Sequence, residues 1–433
     1  MAQELININL RNPLFRILLI LLLLVAAVWS YYAVSWYFGN TLAEYFNTEA
    51  NSIDVARRAA GMAPSDPLTH WRVAETQKNL FSLENQAQAI AEYEKAVSLS
   101  PSNYLYWMSL GIAYEQAGEA AKAEHALKRA VALAPNYAYP HWYLGNLFVR
   151  NGRYDEAFAE LHIASRAEPE MQPQLFNLIW QVLGDDPAAL RKTIGDDSAL
   201  RAQFALYLVG LQQGDKGMEF WNGMSGDEKR KNMATGAAMI TALKKELRYH
   251  NAVSVWNDLT DERHHAEVGR ISDGSFEELV NYTGDPPFGW QVKGSPQVDI
   301  TIDANRGHEG ARSLRMVFEV RGDVEPVSAQ QLVAVQPNTD YDFECFVSTD
   351  NLVSGSRPQV HIVDPPSEAI IVSSAEGPRG SSGWNPIRLS FKTGKTEAVI
   401  VRVIRGSCVN KDTPLCPIFG SIWYDDFSLK RRN

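Results

Sequence analysis

The sequence has few of the features that mark disulfide-rich and nucleic-acid-binding proteins. Its 433 residues include only three cysteines, all after residue 340, so at most one disulfide bridge can form within the chain. The formal net charge is -10 at pH 7, whereas a nucleic-acid-binding surface needs a basic face, so no nucleic-acid partner is expected. The hydrophobic content of 45% is ordinary for a globular protein, and this length predicts two or three domains.

Catalytic signatures are also missing. The sequence contains no H-E-x-x-H zinc motif, no phosphate-binding loop and no dinucleotide-binding fingerprint. Residues 223–226 (Gly-Met-Ser-Gly) do not form a nucleophile elbow, because Asp227 stands where the second glycine of that motif belongs. The sequence therefore predicts a protein that is not an enzyme.

One long hydrophobic run lies near the N-terminus. Arg16 is the only charged residue from Leu14 to Phe38, and about 20 helical residues cross the roughly 30 Å hydrocarbon core of a bilayer. Five aromatic residues at the far end of the run are typical of an interfacial belt: Trp29, Tyr31, Tyr32, Trp36 and Tyr37. We predict a single transmembrane signal-anchor helix over residues 14–38.

Basic residues set the expected orientation of this helix. Arg11 and Arg16 precede the run, so the positive-inside rule predicts that residues 1–13 form a cytoplasmic tail and that the rest of the chain lies outside the cytoplasm. A cleaved signal peptide is the alternative. The length of the run and the bulky aromatics that follow it, in place of an A-x-A cleavage site, favour the anchor.

A 34-residue pattern occurs twice without a gap between Tyr104 and Pro169. The key positions of the first copy are Trp107, Leu110, Gly111, Tyr114, Gly118, Ala123, Leu127, Ala130 and Pro135. Those of the second copy are His141, Leu144, Gly145, Phe148, Gly152, Ala157, Leu161, Ala164 and Pro169. This period and spacing resemble the tetratricopeptide repeat (TPR), in which each unit is a pair of packed helices ended by proline.

Less regular copies flank these two units. A first full repeat extends from about His70 to Pro101, and a repeat's second helix precedes it. After Pro169, four residues recur about 35 positions later in the same chemical order: Phe204, Leu208, Gly217 and Trp221 correspond to Met239, Leu243, Ala252 and Trp256. We predict TPR repeats over residues 41–169 and degenerate helical repeats over residues 170–260. A separate helical domain is the alternative for the second range.

The resemblance to TPR proteins implies a binding groove. In such repeats the concave face is formed by the first helix of each unit, and six of the residues it selects here are Met108, Ile112, Tyr139, Trp142, Asn146 and Arg150. An aromatic pair beside an amide and a guanidinium suits an extended peptide or a partner helix. The alternative is that Tyr139 and Trp142 pack against the neighbouring repeat.

The character of the chain changes after residue 260. Residues 261–270 are polar and lack helical periodicity, which predicts a linker. Short alternating runs at 313–320, 341–347 and 398–404 predict half-buried strands, and Gly- and Pro-rich turns separate them. Regular short strands of this kind predict a two-sheet β-sandwich over residues 271–433.

Specific motifs add to this prediction. They are Asp273-Gly-Ser-Phe-Glu277, Gly289-Trp290, residues 307–314 and 335–341, Gly383-Trp384, and the closing Ile422-Trp-Tyr-Asp-Asp-Phe-Ser-Leu429. Their order resembles the jelly-roll carbohydrate-binding modules of the galactose-binding-like superfamily. That resemblance implies one structural calcium, held by the Gly274 carbonyl, Glu277, Glu309 and Asp425, because calcium binds six to eight oxygens. The alternative is that these carboxylates are solvated or paired with arginines.

The same resemblance implies a saccharide site. Trp290 and Trp384 are the residues it selects for stacking on a sugar ring, although the equivalent tryptophans of many relatives lie in the core. Two cysteines, Cys408 and Cys416, are predicted to close a small disulfide loop in an oxidising compartment. Cys345 lies on a predicted strand and is expected to be a buried thiol.

The predicted chain is therefore multidomain, with a single transmembrane helix, an all-α TPR superhelix and an all-β jelly-roll sandwich. This combination resembles membrane-anchored repeat proteins of bacterial exopolysaccharide and envelope assembly systems, which implies the inner membrane with the bulk of the chain in the periplasm. The favoured function is a non-catalytic scaffold that recruits partner proteins. The alternatives are an envelope polysaccharide-binding protein and a structural accessory subunit of a larger membrane complex.

Overall fold

A computed structural model describes residues 13–45, 53–78, 83–184, 186–278, 286–320, 328–405 and 417–432. Within these ranges the chain forms fifteen α-helices and then ten β-strands. It divides into two compact units, residues 1–193 and residues 194–433. The order of one apolar helix, helical repeats and β-sheets confirms the predicted fold class.

The first unit is helical. Its helices are α1 (Pro13–Glu44), α2 (Ile53–Met62), α3 (Pro67–Lys78), α4 (Leu83–Leu99), α5 (Tyr104–Gln116), α6 (Ala120–Leu133), α7 (Ala138–Arg150), α8 (Tyr154–Ala167), α9 (Gln172–Leu183) and α10 (Pro187–Ile194), with α10 ending at the boundary between the units. A 3-10 helix, Pro169–Met171, precedes α9. Among the described residues, α1 is the one helix long and apolar enough to cross a membrane.

Close helix approach inside each regular repeat depends on a small residue. A Cβ added to Gly145 in α7 would lie 2.6 Å from the Leu161 side chain of α8, so no larger residue fits without a shift. The facing residues Leu144, Ala157 and Leu161 are almost completely buried. The small residues of the 34-residue pattern therefore let the two helices of a unit approach closely.

Four of the helical pairs share one turn geometry, and two of these four have a degenerate sequence pattern. In each turn, an N–H donates to the carbonyl five residues earlier: Glu119 to Tyr114, Arg153 to Phe148, Gln213 to Leu208 and Arg248 to Leu243. The turn residue with positive φ is glycine in the regular repeats, but Gln212 (61°) and Leu247 (62°) take that conformation in the others. The degenerate pairs thus keep the repeat's backbone without its glycine.

The second unit begins with five helices that belong with the sandwich. They are α11 (Ser198–Gly210), α12 (Gly214–Asn222), α13 (Gly226–Lys231), α14 (Met233–Lys245) and α15 (Tyr249–Leu259), followed by a 3-10 helix, Glu262–His264. The backbone N–H of His250 donates to the Glu397 carboxylate (3.0 Å), and its ring Nε2 lies 3.0 Å from the Val335 carbonyl oxygen. These bonds attach α15 to the sandwich. Residues 170–260, predicted as degenerate helical repeats, are therefore divided between the two units.

The segment predicted as a linker is packed against α15. The Asn257 side chain accepts a hydrogen bond from the Ala266 N–H (2.9 Å) and donates one to the Ala266 carbonyl (3.0 Å). Trp256 Nε1 also donates to the His264 carbonyl (2.9 Å). The segment predicted as a linker, residues 261–270, is therefore held against α15 by its backbone.

The sandwich consists of two antiparallel five-stranded sheets. Its strands are β1 (Trp290–Lys293), β2 (Val298–Asp303), β3 (Ser313–Val320), β4 (Ser328–Ala334), β5 (Asp340–Ser354), β6 (Pro358–Val363), β7 (Ile370–Ser373), β8 (Gly380–Lys392), β9 (Ala398–Arg405) and β10 (Ile418–Arg431). One sheet has the order β1-β4-β9-β6-β7 and the other β2-β3-β10-β5-β8. Alternate residues of both sheets meet in one apolar core, which confirms the predicted sandwich.

Candidate functional sites

The six predicted groove residues lie on α5 and α7, the first helices of the two regular repeats. Tyr139 is 55% exposed, whereas Trp142 is partly buried against a small cluster that includes Ala164 and Met171. Asn146 Nδ2 donates to the Trp142 carbonyl of its own helix (2.8 Å). The indole of Trp142 therefore fits the alternative prediction of packing against neighbouring residues, and Tyr139 keeps an accessible ring.

Charge and apolar surface occur together at the remaining groove positions. Arg150 of α7 forms an ion pair and hydrogen bond with Glu115 of α5, so these two side chains link neighbouring repeats. Met108 packs against the repeat core and Ile112 is half-buried. Leu105, one repeat before Tyr139 in the 34-residue register, is 42% exposed. Neighbouring units thus present Leu105 and Tyr139 as accessible apolar side chains.

A histidine ring links consecutive repeats through two polar contacts, which were not predicted from the sequence. His141 Nδ1 lies 2.5 Å from a Glu160 carboxylate oxygen, and its Nε2 lies 2.9 Å from the Pro135 carbonyl of the preceding repeat. His70 makes the same pair of contacts with Glu92 and Pro64, at 2.5 and 3.0 Å. In the intervening repeat, Trp107 Nε1 donates to the Pro101 carbonyl (2.9 Å). In the sequence, these contacts are signalled by a ring N–H donor, histidine or tryptophan, at the same position of each repeat. The contacts are structural.

The predicted calcium ligands are engaged by backbone groups instead. Glu277 accepts hydrogen bonds from the N–H groups of residues 311 and 312 (2.7 and 2.8 Å). Asp425 is fully buried and accepts from the N–H groups of residues 308 and 426 (2.6 and 2.7 Å). The Gly274 carbonyl accepts from the Phe427 N–H (2.8 Å), and Glu309 is exposed.

This donor set does not fit a calcium ion as it stands. Calcium takes six to eight oxygens, and in the part of the chain that the structure describes no group of three or more acidic, His or Cys side chains could hold a metal. Desolvation by burial raises the pKa of Asp425 to about 6, and the nearby charges of Asp426 and Glu277 act in the same direction. The Gly274 carbonyl, Glu277 and Asp425 therefore hold neighbouring loops through backbone hydrogen bonds, and the calcium site stays a prediction.

The tryptophan predicted to stack on sugar at residue 290 is part of the core. Trp290 is 2% exposed, its ring centroid lies 4.8 Å from that of Phe427, and its Nε1 donates to the Asp273 carbonyl (3.2 Å). A saccharide-stacking role for Trp290 is therefore wrong, because no sugar can reach its face. Trp384 is half-buried and lies in a T-shaped contact with His308 at 5.8 Å.

The structure describes one of the three cysteines for which predictions were made. Cys345 is a buried free thiol, as expected, and burial raises its pKa well above the usual value. The predicted disulfide between Cys408 and Cys416 lies outside the described residues.

A polar cleft on the sandwich was not predicted. It has a volume of about 500 Å³ and lies on the solvent side of the β1-β4-β9 sheet, lined by Gln291, Val292, Lys293, Ser328, Gln330, Arg402 and Ile404. Arg402 Nε donates to the Gln330 side-chain oxygen (2.7 Å), Gln330 in turn donates to Gln291 (3.5 Å), and Arg402 also pairs with Glu368 (2.9 Å). Strand alternation marks these residues as outward-facing, but it cannot show which of them line a cleft.

Helices of the same unit extend this cleft. A second depression of about 290 Å³ is lined by Gln291, Gln330, Leu332, Pro365 and Ile400 of the sandwich, together with Lys244, Lys245 and Tyr249 of the α14–α15 pair. The described lining of the two depressions carries four cationic side chains, Lys244, Lys245, Lys293 and Arg402, of which Arg402 is paired with Glu368. This surface therefore combines amide and guanidinium hydrogen-bonding groups with positive charge.

Comparison with known proteins supports the repeats. Residues 78–118 match the family model described as TPR repeat, and residues 104–137 match the one described as Tetratricopeptide repeat. The TPR repeat-containing thioredoxin TTL4 of Arabidopsis thaliana is 28% identical over 118 residues, which make up 27% of this chain and 17% of that protein. The chain therefore carries TPR repeats and aligns with less than a fifth of that relative. No two of its three cysteines are spaced as Cys-x-x-Cys.

Several solved structures are similar to portions of the chain. The pilF protein of Pseudomonas aeruginosa is 17% identical, with a TM-score of 0.31, and the match covers 51% of this chain and 96% of that one. The CBM22-1 xylan-binding domain of Paenibacillus barcinonensis Xyn10C is 12% identical, with a TM-score of 0.27, over 38% of this chain and 97% of that one. Likenesses at these TM-scores support no conclusion about function.

Proposed function

We propose that this protein is a non-catalytic scaffold, anchored in the bacterial inner membrane by α1, that recruits partner proteins through its TPR groove. The carrying observation is that neighbouring repeats present Leu105 and Tyr139 as exposed apolar side chains, beside the Arg150–Glu115 ion pair. Apolar anchors beside an ion pair suit a peptide or helix from another protein. The N-terminus would lie in the cytoplasm and residues 40–433 in the periplasm.

The groove is tested by removing its apolar side chains. We expect the double variant Leu105→Ala, Tyr139→Ala to lose at least tenfold in the amount of partner protein that co-purifies with the full chain in mild detergent. The control is Ile163→Ala, because Ile163 is similarly exposed (40%) but lies on α8, the second helix of its repeat. Equal recovery of partners with the groove variant and the control would contradict recruitment through this face.

The orientation is tested by protease accessibility. Protease added to spheroplasts is expected to digest the chain after residue 40 and to leave a short protected fragment that contains the span, because Arg11 and Arg16 precede it. The measurement is immunoblotting with tags at residue 1 and residue 433. Complete protection of the C-terminal tag in intact spheroplasts, with digestion after lysis, would contradict the periplasmic location.

Polysaccharide binding in the sandwich cleft is the second candidate. The row formed by Gln291, Gln330 and Arg402 supports it, because amide and guanidinium groups hydrogen-bond to sugar hydroxyls and the cationic lining favours uronic acids. In affinity electrophoresis with a uronate polysaccharide and a neutral one, we expect the uronate to retard the protein more. Gln330→Ala with Arg402→Ala should remove that retardation, whereas Trp384→Ala should leave it. Retardation that survives the double variant would exclude this cleft.

A further inference from the structure

The N-terminal helix has two parts with different surroundings. Its apolar residues from Leu14 to Phe38 are mostly exposed, whereas Gly39 and Ala43 are buried by the helices that follow. Ser35 Oγ donates to the Met62 carbonyl (3.2 Å), and Asn40 Nδ2 donates to the Asp66 carboxylate (2.6 Å). The helix is unbroken from Pro13 to Glu44, so the apolar part and the packed part form one rod.

The packed end of α1 contacts its neighbours as the first helix of a repeat does. A Cβ on Gly39 would lie 2.8 Å from both the Ala59 carbonyl oxygen and the Ala63 Cβ, the same close approach that Gly145 makes to α8. Arg72 of α3 donates to the Ala43 carbonyl (2.8 Å), which ties α1 to the next unit as well. The end of α1 and α2 therefore form an additional N-terminal repeat, and the predicted boundary at residue 38 falls inside a helix.

We propose that the membrane helix is itself the first helix of the solenoid, so that the turn between α2 and α3, residues 63–66, rests on the lipid headgroups. This inference depends on the anchoring in the proposed function. Leu14 to Ser35 is about 32 Å of helix, close to the roughly 30 Å of a hydrocarbon core. Because Ser35 bonds to Met62, the α2–α3 turn lies at the level where the span leaves the bilayer.

Aromatic residues at the same level identify the partner as a lipid surface. Trp36 and Tyr37, next to Ser35, are 44% and 63% exposed, as expected of side chains in the bilayer interface. From that level α3 leads away from the membrane, since Asp66 lies beside Asn40 and Arg72 beside Ala43. Glu84, at the start of α4, is then about 20 Å farther out along the helix rise.

The test measures the depth of two fluorescent labels. Ser65→Cys and Glu84→Cys, both at exposed positions, are labelled separately with NBD in a Cys408→Ser, Cys416→Ser background. The remaining cysteine, Cys345, is buried. The full chain is reconstituted in phosphatidylcholine–phosphatidylglycerol vesicles that contain 5-doxyl lipid. We expect the Ser65 label to be quenched at least twofold and the Glu84 label to be quenched little.

Other outcomes separate this inference from the anchoring itself. If the protein co-floats with vesicles but neither label is quenched, the solenoid stands away from the bilayer and the inference is wrong. Equal quenching of the two labels would mean that the solenoid lies flat, which also overturns it. Failure to co-float would overturn the anchor, and this inference with it.

A pair of glycine variants checks the packing that fixes this geometry. Gly39→Leu is expected to force α1 away from α2, so quenching at Ser65 should fall to the level at Glu84 while flotation is unchanged. Gly61→Ala is the control, because a Cβ there meets nothing within 4 Å. Circular dichroism shows whether the later repeats stay folded. If quenching at Ser65 were undiminished in Gly39→Leu, the contact of Gly39 with α2 would not be what holds the solenoid at the bilayer.

Discussion

Leu144→Asp is expected to unfold the repeats of the first unit at temperatures where the natural protein is stable. Leu144 is 1% exposed and belongs to the cluster that joins α5, α6, α7 and α8. Truncating a buried leucine to alanine already costs about 2–5 kcal/mol, and an unpaired buried carboxylate adds several more. The total approaches the free energy of unfolding of a typical domain, about 5–15 kcal/mol.

The measurement is thermal melting of the full chain in detergent, monitored by far-ultraviolet circular dichroism. Ile163→Asp provides the matched control, since it places the same charge on α8 at a side chain that is 40% exposed. We expect the control to melt within a few degrees of the natural protein. If Leu144→Asp also did so, Leu144 would not occupy the interior of the repeats.

The repeats were predictable because their chemistry is periodic. Each regular unit repeats the same small and large residues at a 34-residue spacing, and the contact of Gly145 with Leu161 joins two positions of this pattern. The turns at Gln212 and Leu247 show where this signal weakens. Their backbone adopts the positive φ of the repeat although the glycine is gone, so the fold persists where the sequence pattern has faded.

The candidate sites were less predictable because they depend on which residues meet. Tryptophan is a residue type suited to sugar binding, but the β1-β4 pairing places the Trp290 side chain in the core and leaves Gln291 on the outer face. The cleft row joins side chains 39 and 72 positions apart in the chain, a relation that no local pattern contains. The extension of α1 past residue 38 was missed for a similar reason, since its end is polar but packs against α2 and α3.

Acidification from pH 7 to pH 5 is expected to stabilise the sandwich through Asp425. Burial raises its pKa from 3.8 to about 6, so between these values the folded protein binds more protons than the unfolded chain. Stability from this group is therefore fully present below pH 3.8 and is lost as the pH rises through 6. A shift of about two units corresponds to roughly 3 kcal/mol, which is the upper limit of the effect.

Other titratable side chains in the sandwich determine the pH range in which the effect of Asp425 on stability can be measured. Burial also raises the pKa of Asp273 to about 6, which adds to the gain on acidification. His361 acts in the opposite direction, because burial and Arg402 lower its pKa and charging it in the unfolded chain below about pH 6.5 favours unfolding. The pKa values of Asp303 and Asp342 are lowered, so these carboxylates cost stability only as the pH falls below their unfolded values.

Comparing the natural protein with Asp425→Ala isolates the contribution of Asp425 and also decides the calcium prediction. In chelator, the natural protein should gain about 1 kcal/mol of unfolding free energy relative to Asp425→Ala from pH 7 to pH 5, because the full roughly 3 kcal/mol is reached only below pH 3.8. A bound cation would hold Asp425 ionised, so calcium would raise the melting temperature at pH 7 and remove this pH dependence. The backbone contacts of Asp425 and Glu277 favour equal melting in calcium and in chelator. A higher melting temperature in calcium, absent in Asp425→Ala, would instead show that these carboxylates rearrange to bind the ion.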